Sequence, residues 1–261
     1  MNTLEKIINF KRQEVVKLKQ DIPLNSLVKS PSFKRSTHSL KGALSKEGSK
    51  GIIAEFKRQS PSKGIINKDA DIKQVTEAYL NAGASAQSIL TDTAFFGGSI
   101  MDLIEARTVN SNVPILRKDF IVDAFQIVES KAIGADAILL IAACLTAKEL
   151  KQFGGLASDL GLEVLYEVHD RSDMDKLDVS DGLIGINNRD LKTFKVDLEN
   201  SIEMVKELPS ATLKVAESGI SDPKIVTGLR QYGFDGFLIG EQFMKSNDPG
   251  GACKDFIDQL D

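Results

Sequence analysis

From about residue 51 onward, short apolar runs alternate with longer amphipathic segments, and no other feature of the chain restricts its fold as strongly. The apolar runs read GIIAEF, AQSIL, VPILRK, DAILLI, LEVLYE, GLIGIN, LKVAE and GFLIG. Between them lie stretches of helical pattern, among them DIKQVTEAYLNAG, AFQIVESKAIG, AKELKQFGGLASDLG and DPKIVTGLRQYG, each closing on glycine. Glycine is common just past a helix C-terminus. Near-continuous apolar strands separated by helices predict a parallel sheet covered on both faces. Eight such βα units in 261 residues predict an α/β protein of the (β/α)8 TIM-barrel class. An open doubly wound sheet is the second architecture to weigh, and the lack of a nucleotide-type glycine loop after the first strand counts against it.

The first 50 residues stand outside this rhythm. LEKIINFKRQEVVKLK carries apolar residues at helical spacing and predicts an extra helix packed on the barrel. Residues 21–50 read as polar and loop-like, with SPSFKRSTHS as their most flexible part. Residues 1–261 therefore form one barrel domain, with 1–50 as its N-terminal helical extension. The formal net charge of −4 gives no reason to expect nucleic acid or an acidic membrane surface as partner. Cys144 and Cys253 are the two cysteines and lie far apart, which favours a reducing cytoplasm over a disulfide framework. Two histidines do not build a histidine-rich metal site, so no metal is expected. The opening segment lacks a signal-peptide apolar core, and no run is long enough to span a bilayer.

Side chains alternate along a strand, so residues two apart share a face. That places Ile53, Glu55 and Lys57 on one side of the first strand. Leu116 likewise precedes Lys118, Leu165 precedes Glu167, Gly185 precedes Asn187 and Arg189, and Val215 precedes Glu217. An apolar inward position thus gives way to a polar one at the C-terminal end of five strands, the end where such barrels carry chemistry. One charge at a strand end is usually a surface residue or a structural ion pair. Five strands aimed at one mouth would destabilise the fold unless a ligand engages them.

Two glycine-bearing loops suggest a phosphorylated substrate. ESGI, containing Ser218 and Gly219, follows the seventh strand, and IGEQF, containing Gly240 and Glu241, follows the eighth. Glycines there let backbone N–H groups approach an anion, and barrels often seat phosphate between these loops. A Glu241 carboxylate facing inward would repel phosphate, so its side chain is expected to point away. The SPSKG loop, beginning at Ser60, is long enough to fold over the mouth. Phe96 and Phe120 flank it, where they either sandwich a planar ring or pack into the core.

IIAEFKRQSPSKG, VPILRKDFIVDAFQI, GADAILLI, LEVLYEVHD, GINNRDLKTFKVDL and KVAESGI together closely resemble the indole-3-glycerol phosphate synthases of tryptophan biosynthesis, through the whole barrel and in order. The resemblance implies a decarboxylating lyase. Its substrate would be 1-(2-carboxyphenylamino)-1-deoxyribulose 5-phosphate, converted to indole-3-glycerol phosphate, carbon dioxide and water. It implies no cofactor. Carried over residue by residue, it puts the catalytic acid at Lys118 and the carboxylate base at Glu167. Lys57 and Glu55 match the first-strand pair, and Asn187 and Glu217 further polar groups of the site. Substrate contacts fall on Ser60, Phe96, Phe120, Arg189, Leu191 and Ser218, and phosphate contacts on Gly219, Gly240 and Glu241. Phe56, Gln59 and the ASAQSIL run depart slightly from the family pattern, away from these positions.

Ring closure requires the carboxylate-bearing aromatic carbon to attack a ketone, whose oxygen takes a proton from Lys118. Lys57 would counter the substrate carboxylate. Glu167 would take a proton during dehydration, with a pKa expected to rise if the closed site is dry. The division of labour between Lys57 and Lys118 stays open. The competing readings are a sugar-phosphate isomerase on the same barrel and a catalytically dead scaffold. The expected partner is a small phosphorylated metabolite acting on a monomer, with weak association with other tryptophan-pathway enzymes left open.

Overall fold

A computed structural model of the protein describes residues 2–178, 182–189 and 196–260. Among these, eight parallel strands close into a barrel in sequential order. They are β1 (Ile52–Phe56), β2 (Ala86–Leu90), β3 (Ile115–Lys118), β4 (Ala137–Ile141), β5 (Glu163–Val168), β6 (Leu183–Asn187), β7 (Leu213–Glu217) and β8 (Gly236–Ile239). The ring closes where Ile53 of β1 stands opposite Leu238 of β8 on one side and Ala86 of β2 on the other. Each predicted apolar run supplies one strand. The four quoted amphipathic stretches supply helices Ile72–Asn81, Ala124–Ile133, Ala147–Asp159 and Pro223–Gln231. Gly134 ends the second of these at φ 96°, a left-handed conformation that costs a residue bearing Cβ.

The period of two along each strand produces two separate cores. Ile53, Leu116, Leu139, Leu165, Val215 and Leu238 fill the barrel. Ile52, Ala54, Phe56, Ile115, Ile138 and Ile184 pack outward against the helices. Phe56 accordingly faces away from the mouth, as its parity predicts. Gln87, part of the unusual ASAQSIL run, also points outward, and its amide donates to Thr76 O at 2.6 Å and Asn110 Oδ1 at 3.1 Å. That departure serves packing.

The N-terminal helix spans Thr3–Asp21 and begins with an Asn2–Glu5 capping box. Residues 21–50 correct the loop-like expectation. They contain short helices Leu24–Leu27 and Leu40–Ser45 and a helical turn Pro31–Lys34. Leu40 and Leu44 join the inner core and stop the N-terminal end of the barrel. Two leucines four apart in a polar stretch are too short a pattern to register as amphipathic. The segment expected to be most flexible is fastened under the barrel. Arg35 reaches Asp136 at 2.6 Å, the His38 N–H donates to the same carboxylate at 2.8 Å, and Ser39 Oγ donates to Glu163 at 2.6 Å. No helix among the described residues is long and apolar enough to cross a membrane.

Candidate active site

At the C-terminal ends of the strands lies a cavity of about 340 Å³. Glu55, Lys57, Lys118, Glu167, Asn187, Arg189 and Glu217 all line it, so the five strands that end in polar residues do converge. Lys118 is the hub. Its ammonium donates to Glu167 Oε2 at 3.2 Å and to Glu217 Oε2. Asn187 donates to the other Glu167 oxygen at 3.1 Å, and the Arg189 N–H donates to Asn187 Oδ1 at 3.0 Å. Lys57 forms a separate pair with Glu55 at 2.6 Å.

Glycine makes room for this packing at two positions, one within β6 and one just after β8. A Cβ at Gly185 would lie 2.1 Å from Glu217 Oε1, and one at Gly240 would lie 2.5 Å from Glu55 Oε1. Both carboxylates therefore lean over bare backbone. Neither close approach was visible in the sequence beyond the glycines themselves.

The electrostatics separate two buried carboxylates that look alike in sequence. Burial pushes Glu217 up, Lys118 pulls it down and Glu167 repels it, leaving it at about 7. Burial also opposes ionisation of Glu167. There the Lys118 ammonium, with His169 and Asn187, outweighs it and holds the group below the usual carboxylate range. The sequence expectation that Glu167 would be raised is thus corrected: a neighbouring ammonium wins over desolvation. Burial disfavours the charge on Lys118, but Glu217, Glu167 and Glu55 together keep it firmly protonated.

One wall of the cavity is backbone. Ser218, Gly219 and Ile220 after β7 face Gly240 and Glu241 after β8. Ser218 and Gly219 both take positive φ, 68° and 74°. Ser218 O accepts from Asn188 Nδ2 at 2.8 Å, which helps hold a conformation that costs a non-glycine residue about 1–3 kcal/mol. Helix Glu241–Met244 starts at this wall; the Phe243 and Met244 N–H groups donate to Gly240 O at 3.0 and 2.9 Å, which leaves those of Glu241 and Gln242 without an intrahelical acceptor. The Glu241 side chain does not point away as expected. Its carboxylate sits at the rim, 3.2 Å from Lys63 and 3.7 Å from Arg189, drawn by those two cations.

Ser60 and the SPSKG loop border the opposite side, where Gln59–Ser60 and Gly64–Ile65 pair as a small antiparallel hairpin. Phe96 and Phe120 line the cavity as a tilted pair, ring centroids 5.9 Å apart. Leu191, the remaining expected contact, lies outside the described residues.

A family model for indole-3-glycerol phosphate synthase matches residues 4–256. The chain is 48% identical over 254 residues to the indole-3-glycerol phosphate synthase of Bacteroides thetaiotaomicron, covering 97% of both chains. It is 41% identical over 258 residues to that of Polaromonas naphthalenivorans, covering 97% of this chain and 98% of the other. The chain belongs to the indole-3-glycerol phosphate synthase family. Among solved structures, 3-hexulose-6-phosphate synthase superposes with a TM-score of 0.63 at 10% identity, covering 81% of this chain and all of that one. A chain of the tryptophan synthase α2β2 complex of Pyrococcus furiosus gives 0.56 at 16%, covering 80% and 97%. Those two likenesses establish the barrel alone.

Two features of this indole-3-glycerol phosphate synthase homologue escaped the sequence reading. His169 follows Glu167 by two, one residue past the end of β5, and its Nε2 lies 3.2 Å from Glu167 Oε1. Its other nitrogen is 3.6 Å from Asp173. The parity that found Glu167 also marks His169. The second feature is Lys11, a lysine inside the apolar stripe of the N-terminal helix, buried between the loops after β2 and β3.

Proposed function

We propose that this member of the indole-3-glycerol phosphate synthase family carries out the reaction of its name through Lys118, Glu167 and Lys57. It closes the ring of 1-(2-carboxyphenylamino)-1-deoxyribulose 5-phosphate, releasing carbon dioxide and water and leaving indole-3-glycerol phosphate. The observation that carries the residue assignment is the Lys118 ammonium held between Glu167 and Glu217 at the floor of the cavity.

The substrate's two anionic ends fit two different walls. Its phosphate lies against the backbone of Ser218, Gly219, Gly240 and Glu241, with Lys63 and Arg189 on the rim. Its aromatic ring packs against the cavity side of the Phe96–Phe120 pair, whose centroids 5.9 Å apart leave no space for a ring between them, and its carboxylate meets Lys57. This arrangement brings the ring carbon near the ketone, and such positioning supplies much of the rate. As that carbon attacks, charge grows on the ketone oxygen and Lys118 protonates it. Carbon dioxide then leaves, and its bonding electrons restore the aromatic ring. Dehydration removes a proton from one atom and expels the hydroxyl from its neighbour.

Glu167 starts as a weak base because Lys118 holds its pKa down. Once Lys118 has given up its proton, that restraint is gone and Glu167 becomes more basic for the dehydration step. The acid and the base are thereby coupled in sequence. A cytoplasmic setting belongs to this reading, supported by the free thiols of Cys144 and Cys253.

The test supplies the purified chain with the carboxyphenylamino substrate and follows the appearance of indole fluorescence. A parallel reaction offers phosphoribosyl anthranilate. Turnover of the second without the first would point to a sugar-phosphate isomerase, and turnover of neither to a scaffold.

A further inference from the structure

Lys11 sits on the packed face of the N-terminal helix, with Ile7 and Val15 as buried neighbours one turn away on either side. Its side chain is 4% exposed, and its ammonium lies 2.9 Å from Asp92 and 3.0 Å from Asp119. Glu14 of the same helix approaches at 2.6 Å. Burial disfavours the charge, but Asp119 and Asp92 outweigh it and keep the ammonium protonated. Buried ion pairs are poor stability devices, because apolar replacements are often as stable or more so. What Lys11 holds in place is therefore the more informative question.

Its two carboxylate partners from the barrel loops, Asp92 and Asp119, anchor backbone beside the cavity. Asp92 Oδ1 accepts from the N–H groups of Phe95 and Phe96 at 2.8 and 3.2 Å. Asp119 Oδ1 accepts from the N–H of Phe120 at 2.8 Å, while its other oxygen takes Thr91 at 2.6 Å and Arg117 at 3.1 Å. Phe96 and Phe120 are the tilted pair on the cavity wall. One ammonium from the extension thus ties together the two carboxylates that seat the two rings.

We infer that Lys11 is a positioning residue for substrate, setting the spacing of Phe96 and Phe120 through Asp92 and Asp119. The inference rests on the reading that this ring pair forms the wall against which the substrate's aromatic ring packs. Among the described residues, no other cation of that helix is shared by the loops after β2 and β3.

The experiment measures KM and kcat by indole fluorescence for Lys11→Met, Phe96→Ala, Phe120→Ala and combinations. Lys11→Met is expected to raise KM by about tenfold with kcat changed by less than about threefold, the split expected of lost binding rather than lost chemistry. Val15→Ala loosens the same buried helix face outside the network and is expected to leave KM unchanged. In a Phe96→Ala/Phe120→Ala background the Lys11→Met effect on KM should disappear, because coupled residues are not additive. An unchanged KM in Lys11→Met, an equal rise in Val15→Ala, or a rise that persists without the two rings overturns the inference. If Phe96→Ala and Phe120→Ala themselves keep wild-type KM, the aromatic reading fails and takes this inference with it. If they raise KM and Lys11→Met does not, only Lys11 is misassigned. Should Lys11→Met not fold, Lys11→Met/Glu14→Gln removes one charge of each sign, leaves both ring-seating carboxylates in place and faces the same criterion.

Discussion

Lys118 and Glu167 come from β3 and β5, with β4 between them, yet their side chains meet at 3.2 Å above the barrel core. The meeting depends on parity. Leu116 and Leu165 fill the barrel two residues earlier, so the next inward positions rise to its mouth. Glu217 completes the cluster from β7, and its pKa of about 7 sets it apart from Glu167. Two carboxylates on one ammonium do not ionise alike when all three are buried.

Lys118→Met is expected to abolish turnover while substrate still binds, because the phosphate wall and the aromatic pair are untouched. Loss of a positioned acid costs about 10²–10⁴-fold in kcat. Indole fluorescence gives the rate, and calorimetric titration with substrate gives the affinity. Near-normal kcat would remove Lys118 from the acid role.

Glu167→Gln keeps the shape and the Asn187 contact but removes the base. The expected loss is again about 10²–10⁴-fold in kcat. A change confined to KM would make Glu167 a binding residue.

Gly185→Ala tests the close approach of Glu217 to bare backbone. The added Cβ would sit 2.1 Å from Glu217 Oε1, so the carboxylate must shift and its contact with Lys118 through Oε2 is disturbed. Displacement by about 1 Å at a reacting centre can cost about 10²-fold. The expected result is a loss of kcat approaching that size with a fold that still melts cooperatively. Unaltered kcat would mean that Glu217 placement is irrelevant to the slow step.

The strand ends were legible because a period of two needs only a few residues to declare itself, and Leu116–Lys118 or Val215–Glu217 suffices. Other features depended on contacts between distant segments. Lys11 reads as one of many lysines on a solvated helix until the loops carrying Asp92 and Asp119 close over it. Leu40 and Leu44 reveal their role only when the open end of a barrel lies beside them. The pKa of Glu167 went the other way from expectation because its sign depends on a 3.2 Å neighbour from another strand. Glu241 turned toward the rim for the same kind of reason, having Lys63 and Arg189 beside it.

Asp136→Asn probes the opposite end of the barrel. The buried carboxylate pairs with Arg35 and Arg107 and accepts from the N–H groups of His38 and Ile115. Removing one partner of a buried ion pair costs about 3–5 kcal/mol. The variant should melt well below the wild type yet keep its kcat at 25 °C, since this face carries stability rather than chemistry. Matched losses of stability and kcat would contradict that division.

His169 gives the fold an alkaline limit. Burial alone would lower its pKa, but Asp173 and Glu167 reverse that and push it up to about 10. Lys176, which pairs with Asp173 at 3.1 Å, is the cation on the far side of that carboxylate. A folded pKa above the ordinary value of 6.5 means that the native state binds the proton more tightly than the unfolded chain. The contribution is complete below pH 6.5 and is lost as pH rises through about 10. The wild type should therefore lose stability over that interval relative to His169→Asn, while below it the difference between them stays constant. Thermal melts of both proteins at about pH 6, 8 and 10 measure it. Parallel melting curves across the whole range would show that the imidazolium is not the group responsible.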